Sequence, residues 1–209
     1  KEFFNPDFSE LHSYLKLMAE TVAIGINGTF LAILASIPLG LMISRNIVNN
    51  FLINQIAREI SNFLRAMPEL IFALIFVAAV GLGPFAGILA ISLHTIGFLA
   101  KFYSECIENI DEKPVEAIRS TGARQIQVIR HGVFTQILPL FNSYNLYLLD
   151  RNIRAATVMG IVGAGGIGFE LIMSMKIFEY QKVSALILVV LLTILMIDSF
   201  SSYLRKKIV

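Results

Sequence analysis

Between Thr21 and Ser44 lie 24 residues without a formal charge, and between Leu70 and Ala100 lie 31 whose single titratable side chain is His94. Runs of this length decide the class of the chain before any motif is considered. A helix needs about 20 apolar residues to cross roughly 30 Å of hydrocarbon. The overall balance agrees, with 56% hydrophobic and 15% charged residues where soluble domains carry about a quarter charged.

The 31-residue run is too long for one crossing, about 46 Å as a helix, and Gly81-Leu82-Gly83-Pro84 interrupts it. It divides into spans at Phe63–Val80 and Phe85–Phe102, after a first span at Thr21–Ser44. A fourth run, Val133–Leu149, ends at Asp150-Arg151, and a fifth, Val183–Leu204, is broken only by Asp198 and followed by Arg205-Lys206-Lys207. The expected fold is an all-α integral membrane protein of about five transmembrane helices, one domain over residues 1–209. Lysine and arginine accumulate on the cytoplasmic side. If the first span runs inward, eleven basic residues fall on one side and six, Arg151 and Arg154 among them, on the other. The C-terminus is then cytoplasmic, residues 1–20 form an external lead-in, 101–132 a cytoplasmic segment and 155–182 an external glycine-rich segment. The first 20 residues hold no apolar signal-peptide core, so an external Lys1 leads us to expect a further span upstream.

Other chemistry is poorly supported. The single Cys106 excludes an internal disulfide, and His12, His94 and His131 lack the spacing of metal ligands. A net charge of +2 does not argue for nucleic acid. Gly163-Ala164-Gly165-Gly166-Ile167-Gly168 satisfies G-x-G-x-x-G, but the acid a dinucleotide site needs about 20 residues later is replaced by Leu186, Ile187 and Leu188. Those glycines suit irregular backbone lining a cavity at membrane depth. Small residues along the first span, Gly25 and Gly28 among them, suit close helix packing.

The polar stretch Lys101–Gly132 has its own design. Asp111-Glu112-Lys113-Pro114 reads as a helix start, and Gly122 separates two short amphipathic patterns, Val115 and Ile118, then Ile126, Ile129 and Val133. Two surface helices resting on the membrane, or two helices presented to a partner, both satisfy that periodicity. Cys106, beside Lys101 and Glu105, is expected on the cytoplasmic side. Near the apolar runs, Glu69 is expected to pair with Arg65 at i, i+4 and Asp198 to answer Arg205. Arg151 and Arg154 precede 15 uncharged residues, Ala155–Phe169, where a guanidinium is costly unless compensated. Either they reach the outer interface or pair with Asp150 and Glu170, or they line a path for an oxyanion.

Glu116-Ala117-Ile118-Arg119-Ser120-Thr121-Gly122 resembles the EAA loop of ABC importer permeases. Ile118 stands where that loop has its second alanine, and the later Ile-x-Leu-Pro is replaced by Gly132-Val133-Phe134-Thr135, with a proline only at Pro139. Leu64-Arg65-Ala66-Met67-Pro68-Glu69, Val80-Gly81-Leu82-Gly83-Pro84-Phe85-Ala86-Gly87, His94-Thr95-Ile96-Gly97 and Asn152-Ile153-Arg154-Ala155-Ala156-Thr157-Val158 are similar to the permeases of bacterial phosphonate importers, a binding-protein-dependent transport inner membrane component family. The resemblance runs from Phe3 to Lys207. It implies the type I importer permease architecture with a pair of cytoplasmic coupling helices, and no catalytic residue, cofactor or metal of its own. The implied setting is multi-pass in the bacterial inner membrane. Glu116, Ala117, Arg119, Gly122 and Ile126 would dock on an ATP-binding cassette subunit. An external substrate-binding protein and a second copy of the permease would complete the assembly. Close relatives of that family import phosphite or phosphate esters. No G-x-x-x-x-G-K-[ST] occurs, so ATP would be hydrolysed by another chain. The rivals are a membrane-embedded enzyme on lipid phosphates, for which no His, Asp, Ser and Lys constellation stands out, and a passive anion channel.

Overall fold

The computed structural model describes residues 5–48 and 50–208, and these are helical almost throughout. The elements are α1 (Leu11–Ile43), α2 (Phe51–Ala66), α3 (Glu69–Val80), α4 (Pro84–Glu108), α5 (Glu112–Ser120), α6 (Gln125–Val128), a π-helical turn (Ile129–Val133), α7 (Phe134–Met159), a 3-10 turn (Gly160–Val162), α8 (Ile167–Lys176) and α9 (Tyr180–Ile208). Among the described residues three helices, α1, α4 and α9, are each long and apolar enough to cross a bilayer. Two bent pairs bring the count to five if each is one span: α2 with α3, bent by 89°, and the stretch from Ile126 to Val162 with α8, bent by 41°.

The second span therefore differs from the straight helix expected over Phe63–Val80. Pro68 has no N–H to continue the ladder and its ring disfavours helical backbone at the residue before it. Met67 is accordingly extended (φ −77°, ψ 125°) and the chain turns there. Two further expectations shift. α1 begins at Leu11, so half of the lead-in is helix, and α4 runs to Glu108, so residues 101–108 are its last two turns.

α1 and α4 run side by side in the same direction. A Cβ on Gly28 would lie 2.8 Å from Ile91 Cγ2, so only glycine permits that approach, and Ser92 Oγ donates to Gly28 O at 3.1 Å. α2 and α3 return along α4: Ser61 Oγ donates to Gly97 O at 2.8 Å, and Phe72 and Ala73 share a buried cluster with Ala90 and Ile91. α7 also runs against α4, pairing Ile137 with Cys106 and Ile107, then Leu148 with Leu99. Between them Asn152 is 1% exposed: its Nδ2 donates to Thr29 Oγ1 (2.8 Å) and its Oδ1 accepts from Thr95 Oγ1 (3.1 Å). This chain ties three helices together where water cannot compete, and such bonds contribute about 0.6 kcal/mol each on average inside membranes.

The bundle has two chemically distinct ends. At the basic end, Arg58 Nη2 lies 3.1 Å from Glu108 Oε1, which also accepts from the Arg45 amide (3.0 Å). At the glycine-rich end, Glu20 Oε1 accepts from Gly166 N–H (3.1 Å) and Thr21 Oγ1 from Ile167 N–H (2.9 Å), which satisfies the free amides that open α8. Gly163, Gly165 and Gly166 all have positive φ. The segment is a tight loop into α8 between two helices, with no strand before it, and so not a dinucleotide fingerprint.

Candidate functional site

His94 is the eleventh residue of α4, about 15 Å along it from Pro84, and so near the middle of the bundle. Charged groups from two other helices meet it there, and a third helix brings one to the neighbouring Phe98. Arg151 of α7 places Nη2 3.1 Å from His94 Nε2 and 3.7 Å from Glu69 Oε2 at the start of α3, and the His94 to Glu69 separation is 3.8 Å. The Arg151 guanidinium also lies 5.0 Å from the centroid of Phe98, with that of Arg65 5.7 Å from the same ring. Such contacts between a guanidinium and an aromatic face stabilise the cation electrostatically.

The tautomer of His94 follows from its partners. His94 Nδ1 lies 3.1 Å from Met67 O, and a carbonyl can only accept. Nδ1 therefore carries the hydrogen and Nε2 offers its lone pair to Arg151. Met67 O is available because the helix breaks at Pro68 and Ile71 N–H bonds to Pro68 O instead. One elbow thus supplies both the acceptor that orients His94 and, two residues on, the carboxylate of Glu69. The same break removes the i, i+4 relation expected between Arg65 and Glu69, and Arg65 Nη2 donates to Asn62 Oδ1 at 3.2 Å.

Arg154 lies one turn beyond Arg151, about 5 Å nearer the glycine-rich end. It pairs with Asp150, whose side chain is 4% exposed while that of Arg154 is 45% exposed. Asp150 Oδ1 has no hydrogen-bond partner among the described residues. α7 continues through this stretch to Met159, so both arginines lie within the depth of the bundle and not at its outer edge. The expected Asp150 partner is present, whereas Glu170 is taken by Lys182 (Nζ to Oε1 2.8 Å), which also reaches Glu10 (3.5 Å). Nearby, the Ser9 amide at 2.9 Å holds the Asp7 carboxyl below the usual carboxylate range. Arg205 donates to Ser202 Oγ at 3.4 Å in place of the expected Asp198.

At the basic end α5 starts as its sequence predicts, with Asp111 Oδ1 accepting from Lys113 N–H at 3.0 Å. Gln136 brackets Asp111 from α7, accepting from its amide at 3.0 Å and donating to its carbonyl at 3.1 Å. Val115 packs onto Gly132, whereas Glu116, Ala117 and Arg119 are exposed. Gly122 takes φ +76° and turns the chain into α6. The second short helix is one turn long, and the π-helical turn joins it directly to α7. Val128 is the residue buried there, and Ile126 is 79% exposed, so its side chain faces away from the bundle. Cys106 is buried, 7% exposed, beside Ile107 and Ile137.

Spacing could not reveal the pairing of Glu69 with Arg151, which are 82 positions apart. The one available sign was an acid directly after Pro68 inside an apolar run.

Residues 36–209 match the family described as the binding-protein-dependent transport system inner membrane component. The chain is 45% identical over 205 residues to the phosphite transport system permease protein of Stutzerimonas stutzeri, covering 98% of this chain and 74% of that protein. It is 39% identical over 191 residues to the phosphate-import permease protein of Mycolicibacterium smegmatis, covering 91% of this chain and 36% of that one. The fold is similar to a chain of the inward-facing MetNI methionine ABC transporter, with TM-score 0.78 at 19% identity over 96% of this chain and 99% of that one.

Proposed function

The chain belongs to the binding-protein-dependent transport system inner membrane component family, and on that premise we propose that it is the permease through which phosphorus oxyanions, phosphonate-like anions and phosphite among them, are imported by alternating access. It is a multi-pass inner-membrane component. ATP is hydrolysed by a separate ATP-binding cassette subunit, and an external binding protein delivers the substrate. The exposed face of Glu116, Ala117 and Arg119, the turn at Gly122 and the outward Ile126 form the surface that the cassette subunit meets. The basic end with the C-terminus is then cytoplasmic. Moving Arg151 and Arg154 to mid-depth leaves the opposite end poorer still in basic residues, in keeping with that orientation.

The observation that carries this reading is the position of Arg151 and Arg154. A guanidinium at this depth is costly against lipid and is expected to face a partner or a water-filled path. Arg154 is half exposed, and its fork of donors suits paired phosphoryl oxygens at any relevant pH. A second copy of the chain would place the same charges on the opposite wall, so we infer a homodimer around the path. A lipid-phosphate enzyme is not favoured, since the relatives are named as transport permeases.

ATPase stimulation of the assembled complex, reconstituted with its binding protein, should respond to one or more of methylphosphonate, aminoethylphosphonate, phosphite and phosphate, with uptake strictly dependent on ATP. Stimulation by none of the four would refute the substrate class. Anion flux without ATP would make the chain a passive pore.

A further inference from the structure

Among the described residues, the carboxylate of Glu69 is the acidic group that faces Arg151, and it is held quite differently from Asp150. Asp150 is buried and tightly matched to Arg154. Glu69 is more exposed (28%), and its distances to Arg151 and His94 are 3.7 and 3.8 Å, well beyond the roughly 2.7–2.9 Å of a close charge-assisted bond. Two guanidiniums, Arg65 and Arg151, share the neighbourhood of Phe98, so an anion is needed there whether or not substrate is bound.

We propose that Glu69 is a resident counter-anion which neutralises Arg151 in the empty permease and is displaced from it when a phosphorus oxyanion arrives. The inference rests on the reading of Arg151 as part of the transport path. Glu69 stands at the first position of α3, directly after the Met67-Pro68 elbow, so a small movement of the elbow withdraws it. His94 acts as the positioning residue. Its Nδ1–H holds the elbow at Met67 O, and its Nε2 accepts from Arg151, which keeps the guanidinium in place while the carboxylate is exchanged. Competition of this kind has a purpose in a transporter. A bare Arg65 and Arg151 pair would trap a tetrahedral oxyanion, whereas a carboxylate waiting to return lowers its affinity enough for release.

The test is equilibrium binding of labelled methylphosphonate and phosphite to the assembled permease and cassette complex, in phosphatidylcholine nanodiscs without ATP or binding protein. Anionic lipid headgroups are thereby excluded as competitors. Glu69→Gln is expected to lower the Kd at least tenfold while slowing release of bound ligand on ATP addition. Glu69→Asp, whose carboxylate is drawn back by one methylene, is expected to lower it two- to threefold, and it keeps the test open if the amide variant does not assemble. Arg151→Gln should abolish binding. If Arg151→Gln abolishes binding but neither Glu69 variant tightens it, the counter-anion role is wrong and the path reading stands. If Arg151→Gln binds as the wild type does, both fail.

Discussion

Arg154 has two possible employments, neutralising the buried Asp150 or presenting donors to a passing anion, and the pair can be dissected. In Arg154→Gln the Asp150 carboxylate, 4% exposed and with Oδ1 already lacking a hydrogen-bond partner among the described residues, loses the one cation paired with it there. Breaking a buried pair from one side costs about 3–5 kcal/mol. Arg154 is itself 45% exposed, which argues for the lower end, about 3 kcal/mol or roughly a 150-fold shift in the unfolding equilibrium. Asp150→Asn/Arg154→Gln removes the stranded charge, leaves the local net charge unchanged and lets two amides bond across one helical turn. Its stability should return to within about 1 kcal/mol of wild type. Transport should not return. A charged donor to an oxyanion contributes about 1.5–3 kcal/mol, so uptake should stay roughly 10- to 150-fold below wild type in both variants. Thermal unfolding of the complex in nanodiscs and ATP-driven uptake into proteoliposomes measure the two quantities separately. If the double variant transports at the wild-type rate, Arg154 serves only to neutralise Asp150, and the electrostatic role assigned to it is wrong.

A β-branched residue at Gly122 meets no steric obstacle, since nothing lies within 4 Å of a Cβ there, but it must adopt φ +76°. The left-handed conformation costs about 1–2 kcal/mol, so Gly122→Val is expected to insert normally yet lose cassette binding or ATP coupling by roughly tenfold; normal uptake would mean the turn is only a surface feature. Because Cys106 is buried, topology is better read from Ile126→Cys in a Cys106→Ser background. An impermeant thiol reagent should miss it in intact cells, label it in inside-out vesicles stripped of the cassette subunit and be blocked when that subunit is bound. Labelling from outside would reverse the orientation.

Membrane class, the number of apolar runs and the helix start at Asp111 are all local properties. Each follows from residues within one or two turns of each other, where run length, a proline and a capping carboxylate act without tertiary help. The turn at Gly122 between two short helices was legible for the same reason, its residues being contiguous, although the fusion of the second short helix into α7 depends on a π-helical turn that no periodicity announced. What only the tertiary structure decided is depth and partnership. Asp150-Arg151 looked like the polar end of a span because charge ordinarily stops one, yet α7 carries both residues onward at bundle depth, where Arg154, His94 and Glu69 can meet the charge. Arg65 and Glu69 are four apart in sequence but lie on different helices across an 89° elbow, while Glu69 and Arg151, distant in sequence, share a site. Coulomb and hydrogen-bond energies act through space over a few ångströms, and only the packing of α3, α4 and α7 brings those groups within that range.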